Sequence, residues 1–150
     1  MSPARWVASF GGSGLAPVAP GTAGSLVALL PGLVLLWVGP AALAVGVVVV
    51  AAVGLWAIRA AGAGDDPGWV VIDEVAGQWI ALLGLAHPSL LGALAAFAAF
   101  RLFDVAKPGP VGWAERLSGA TGVMADDVVA GVLAAAVVGA IRWGVPGVLE

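Results

Sequence analysis

TAGSLVALLPGLVLLWVGPAALAVGVVVVAAVGLWAI, residues 22–58, decides the fold. No charged side chain interrupts it, and the gap without Lys, Arg, Asp or Glu runs from Arg5 to Arg59, with a second from Glu74 to Arg101. A helix crossing a bilayer needs about 20 apolar residues, so each gap is long enough to hold one. A cleaved signal peptide accounts poorly for the first gap, because Gly11 to Gly14 and Pro17 to Pro20 break it early and the apolar run extends far past the length of such a segment. The stretch therefore reads as mature structure. Across all 150 residues the chain is 61% hydrophobic and 10% charged, with a mean hydropathy of +1.08, whereas a soluble domain carries roughly 25% charged residues. So small a polar inventory cannot cover a water-facing surface, and the remaining surface must face lipid.

In lipid the backbone has to satisfy its own hydrogen bonds, which favours helices over strands. The expected fold is an all-α, integral membrane helical bundle, one domain over residues 1–150, with about five hydrophobic helices. Glycine, proline and charge punctuate these at about 22–38, 41–60, 70–86, 89–103 and 126–143. Pro31 is expected to kink the first helix, and that segment is the one that could be re-entrant.

If successive helices cross in alternate directions, Arg5, Arg59, Arg101, Lys107 and Arg116 fall on one side and only Arg142 on the other. Basic residues mark the cytoplasmic side. Asp65, Asp66, Asp73, Glu74, Asp104, Glu115, Asp126 and Asp127 fall on that same side, leaving Glu150 opposite. Acidic residues do not set topology, so their agreement points independently to a single site. Trp6, Trp56, Trp69 and Trp113 near the cytoplasmic interface, with Trp37 and Trp143 near the other, suit helix-end anchors.

Absences narrow the chemistry. There is no cysteine, which excludes disulfides, zinc-thiolate centres and thiol nucleophiles. The single histidine, His87, leaves too few for a phosphohistidine lipid phosphatase. A net charge of -3 without a Lys/Arg cluster argues against nucleic acid.

Four segments carry chemistry. The small, flexible run 9–25 enters a helix at Thr22, an N-cap candidate, where free amides and nearby glycines suit phosphate; Thr22 and Ser25 are candidate phosphate-binding residues. In the second, Asp73 and Glu74 stand about a turn inside an apolar helix with Gln78 one turn on from Glu74, and intramembrane acids of this kind usually face a bundle interior and pair with a cation. In the third, Arg101, Asp104 and Lys107 recur at three-residue spacing and share a face if the helix reaches Lys107. In the fourth, Asp126 and Asp127 repeat the pattern of a glycine-bearing loop followed by paired acids. Two neighbouring carboxylates repel unless a proton or metal is shared, and a set of hard oxygen donors suits Mg2+.

These segments resemble phosphatidylglycerophosphatase A, a Mg2+-dependent membrane phosphatase family of bacteria. The resemblance rests on 12–17 with 20–25, on Ile72-Asp73-Glu74 with Gly77-Gln78-Trp79, on 100–104 with Lys107, Pro108 and Pro110, and on 122–127 with Ala130-Gly131, in the family's order. Gly109 stands where some members have tryptophan, and Ser118 where some have histidine. The resemblance implies hydrolysis of phosphatidylglycerophosphate to phosphatidylglycerol at the cytoplasmic side of the bacterial inner membrane. On this reading Asp73, Glu74, Asp126 and Asp127 hold Mg2+, and Arg101 and Lys107 neutralise the monoester phosphate. Asp104 is a further ligand, a general base or a nucleophile, and Asp73, Glu74, Asp104 and Asp127 form the catalytic set. The competing classes are a divalent-cation transporter, which needs acids near mid-membrane and a path to both faces, and a non-catalytic lipid-binding protein, which would not need paired acids.

Overall fold

The computed structural model describes residues 1–149 and contains helices but no strand among them; Glu150 lies outside the described residues. In chain order the helices are α1 (Pro3–Ala8), α2 (Pro20–Val38), α3 (Pro40–Ala60), α4 (Ile72–Leu82), α5 (Leu90–Ala106), α6 (Gly109–Ala114) and α7 (Gly119–Gly144), with a single 3-10 turn at Ser13–Leu15. The five expected hydrophobic segments correspond to α2, α3, α4, α5 and α7. Three of these, α2, α3 and α7, are long and apolar enough to cross a membrane.

Prolines set several starts. Pro3, Pro20 and Pro40 stand in the first turn of α1, α2 and α3, where their fixed φ suits the helix and the missing N–H has no intrahelical partner to lose. Pro20 also displaces the expected cap, since the N-cap of α2 is Ala19 and Thr22 lies inside the helix. Pro31 sits within α2 without ending it, and α2 runs unbroken through 19 residues.

The bundle is apolar on both its inside and its outside. Leu30, Val34, Val45, Val48, Leu90 and Val105 are exposed, as a lipid-facing surface requires, while α4 is buried along most of its length. With only 11 residues, α4 rises about 16 Å, roughly half a bilayer core. It avoids the penalty of incomplete spanning because protein, not lipid, surrounds it: α7, α2, α3 and α5 all pack against it. The Trp79 indole N–H donates to the Ala28 carbonyl at 2.8 Å, fastening α4 to α2.

Helices in lipid gain little from hydrophobic association and instead rely on close packing of small residues. The crossing of α4 with α7 is an instance. A Cβ on Gly77 would lie 2.6 Å from the Asp127 carbonyl oxygen and would overlap the Phe100 ring, and a Cβ on Gly131 would lie 2.9 Å from the Gly77 Cα. The two backbones therefore touch. Gly77→Ala is expected to cost roughly 1–3 kcal/mol through overpacking, read as a lower melting temperature in detergent; an unchanged melt would show that the crossing can loosen freely.

The alternation of helix directions brings the starts of α2, α4 and α7 to the same end as the finish of α5, around one cavity. The 61–71 connection closes over this end, and Val71 N–H donates to the Ala8 carbonyl at 3.0 Å, tying it to α1. Arg5 stacks over the Trp69 ring at 4.7 Å from its centroid.

Candidate active site

The Gly77–Gly131 contact explains how distant acids meet. Asp73 precedes Gly77 by four residues and Asp127 precedes Gly131 by four, so each acid lies one helical turn from the touching glycines and on the same helix face. Where the backbones touch, side chains one turn away must converge. Carboxylate oxygens of Asp73, Glu74 and Asp127 lie within 4.8 Å of one another. Asp73 and Glu74 occupy the first turn of α4, where the unpaired amides of a helix start favour negative charge.

Desolvation is nearly complete, with Asp73 4% and Asp127 3% exposed. Asp73 Oδ1, Glu74 Oε2 and Asp127 Oδ1 have no hydrogen-bond partner in the protein. Three carboxylates that each hold a buried, unpartnered oxygen repel one another, an arrangement stable only if protons or a cation are shared. Their geometry and hard oxygen chemistry fit a divalent metal.

The cavity beside them, about 350 Å³, is lined by Asp73, Glu74 and Asp127, by Arg101, Asp104 and Lys107 of the α5 end, and by Gly21 and Thr22 of α2. Arg101 is ion-paired with Asp104, one turn along α5. Helix α5 ends at Ala106, and Lys107 adopts the left-handed conformation as its C-cap, with φ 46°. That turn directs the ammonium to Asp126, at 2.7 Å, and Glu115, at 3.0 Å. Burial works against the Lys107 charge, but these hydrogen bonds outweigh it and hold its pKa above the ordinary lysine value.

Two expected residues fall elsewhere than the sequence reading put them. Asp126 lines the cavity, yet its carboxylate is engaged by Lys107 and stands outside the Asp73, Glu74 and Asp127 cluster. Asp127 stands one turn before Gly131 and so faces α4, whereas the neighbouring Asp126, about 100° away around the helix, turns to Lys107. Ser25 is fully buried and donates to the Gly21 carbonyl at 2.8 Å inside α2; it does not line the cavity, whereas Thr22 does.

Two further residues belong to the site. Asp66, at φ 54°, lines the cavity from the 61–71 connection; burial, and then the Asp126 carboxylate, raise its pKa above the usual aspartate value. Gly21 matters for what it lacks, because a Cβ there would collide with Glu74 Oε1 and approach Arg101 Nη1 to 3.4 Å. Asp66 was visible as one of the acids on this side, and Gly21 as part of the glycine-bearing run, but neither carried a signal that singled it out.

The family model for phosphatidylglycerophosphatase A matches residues 6–142 of the chain. Among curated proteins, one from Bacteroides thetaiotaomicron that carries the provisional name phosphatidylinositol-3-phosphatase is 43% identical, covering 88% of this chain and 89% of its own. The phosphatidylglycerophosphatase A of Escherichia coli is 34% identical over 84% of this chain and 76% of its own, and that of Haemophilus influenzae 36% identical over 95% and 91%. No solved structure matches the chain.

Proposed function

Because the chain belongs to the phosphatidylglycerophosphatase A family and is a phosphatase, we propose that it hydrolyses the monoester of phosphatidylglycerophosphate, with Mg2+ as cofactor. The products are phosphatidylglycerol and inorganic phosphate. The observation that carries this reading is the meeting of Asp73, Glu74 and Asp127 beside two cationic side chains in one cavity. A metal there would be held by those three acids, with Asp126 of the same cavity wall as a candidate contributor through water.

When bound, Mg2+ supplies Lewis acidity toward the phosphoryl oxygens and lowers the pKa of the attacking water. The chain's own groups do the rest. Arg101 and Lys107 offer charge-assisted hydrogen bonds to the phosphoryl oxygens that the acids would repel. Asp104 holds the Arg101 guanidinium in place through their ion pair, and it lines the same cavity as a candidate proton acceptor. Gly21 leaves the space into which the Glu74 carboxylate extends. The partners are the lipid substrate and the surrounding bilayer. The grouping of Arg5, Arg59, Arg101, Lys107 and Arg116 at the cavity end supports a cytoplasmic-facing site in the inner membrane.

The phosphatidylinositol-3-phosphatase name of the Bacteroides relative favours a second reading, in which the monoester sits on an inositol headgroup. Phosphate release by the purified protein from each lipid, with Mg2+ and with excess EDTA, tests both. Release from phosphatidylglycerophosphate is expected to exceed release from the inositol lipid and to fall roughly a hundredfold or more on chelation. Equal rates with and without Mg2+ would remove the cofactor, and preference for the inositol lipid would install the second reading.

A further inference from the structure

Beside the acid-lined cavity lies a second pocket, of about 500 Å³, walled by Lys107, Gly109, Pro110, Gly112, Trp113 and Arg116. Lys107 belongs to both. It is the partition between them, so a ligand lying across Lys107 reaches both spaces at once. The acids that engage Lys107, Asp126 and Glu115, are not among the residues walling this second pocket, which contains no carboxylate.

Arg116 supplies the uncommitted charge. It makes no ion pair among the described residues, and it sits in the turn that follows α6, its N–H donating to the Trp113 carbonyl at 3.2 Å. Trp113 is 75% exposed, at the end of the bundle where amphipathic rings rest among headgroups. A cation and an aromatic ring at headgroup depth, next to the acid-lined cavity, suit an anionic lipid group rather than a free metabolite.

We propose that Arg116 and Trp113 form a subsite for the phosphodiester of the lipid whose monoester enters the acid-lined cavity. This rests on the phosphatase reading above, and it adds that the protein distinguishes lipids by their second phosphate. Phosphatidylglycerophosphate carries a diester and a monoester separated by one glycerol, so it can fill both spaces. Phosphatidic acid carries only a monoester and leaves the Arg116 pocket without an anion. Selection between them then comes from the shared wall at Lys107 and the free guanidinium beyond it.

The test uses the full-length protein in detergent micelles with phosphatidylglycerophosphate and phosphatidic acid as separate substrates. Arg116→Gln is expected to lower the ratio of the two kcat/KM values, diphosphorylated lipid over phosphatidic acid, about tenfold. Most of that change should lie in KM, and Arg116→Lys should restore part of it. Arg142→Gln, a charge change at the opposite end, serves as control and leaves the ratio unaltered. An unchanged ratio in Arg116→Gln, or equal loss on both lipids, overturns the subsite. Thermal stabilisation by each lipid supplies a readout that needs no turnover: the unsubstituted protein should melt higher with phosphatidylglycerophosphate than with phosphatidic acid, and Arg116→Gln should not discriminate. Should no phosphate be released from phosphatidylglycerophosphate, the functional reading fails while this melting comparison still decides the subsite, with equal stabilisation of the unsubstituted protein by both lipids counting against it.

Discussion

Asp127→Asn is expected to lower phosphate release roughly a thousandfold or more, while the substituted protein, free of divalent cation, melts at the same temperature or higher. The two halves of that expectation come from one geometry. Asp127 contributes its oxygen to a cluster only 4.8 Å across with Asp73 and Glu74, and it is the member on α7, so neutralising it removes the side of the proposed metal site that α4 cannot replace. The same substitution relieves repulsion among three clustered carboxylates. A catalytic acid kept for function at a cost in stability behaves this way, and a structural acid does not. If Asp127→Asn lost stability and activity together, Asp127 would instead be an anchor of the α4–α7 crossing.

The second large effect is expected at a residue without a functional group. Gly21→Ala should reduce turnover about a hundredfold, because the new Cβ would occupy the place of Glu74 Oε1 and crowd Arg101 Nη1, and displacements near 1 Å at a reacting centre can cost about that much. Gly21 lies in the first turn of α2 and its backbone is helical, so alanine is favoured there by up to about 1 kcal/mol. Paired melting and turnover measurements therefore should move in opposite directions. Full activity in Gly21→Ala would mean that Glu74 has room to move aside without consequence, and that its position does not matter to the reaction.

Much of this was legible in the residues themselves because lipid imposes strict conditions. A charge-free stretch from Arg5 to Arg59 has few alternatives to spanning helices, and the observed α2 (Pro20–Val38) and α3 (Pro40–Ala60) differ from the expected 22–38 and 41–60 only at their starts. Hydropathy was less informative where protein replaces lipid. The segment expected at 70–86 is helical only at Ile72–Leu82; beyond it the chain turns, still buried, with Gly84 pressed against the Ala135 carbonyl of α7, and an apolar sequence looks the same on either side of that turn. The start of α7 shows the converse. Glycines at 119 and 122 resembled a loop ahead of Asp126, but the helix begins at Gly119, and Gly122 is required because a side chain there would strike the Leu117 carbonyl.

The site was readable as a set and not as a geometry. Paired acids at 73–74 and 126–127 predicted convergence, yet which aspartate of the second pair faces α4 follows only once Gly131 is known to be the residue that touches Gly77. Lys107 settles that division by taking Asp126. Asp66 reaches the cavity only because the 61–71 connection folds back over it with a left-handed aspartate, a conformation that pattern alone does not reveal.

Melting temperature against Mg2+ concentration, compared between the unsubstituted protein and Asp127→Asn, tests the proposed metal site without requiring turnover. A ligand that binds only the folded state stabilises it by RT ln(1 + [L]/Kd), so the unsubstituted protein should melt progressively higher as Mg2+ is added, and Asp127→Asn should show little or no rise. A flat profile for the unsubstituted protein, or parallel rises in both, would contradict a metal held by Asp73, Glu74 and Asp127.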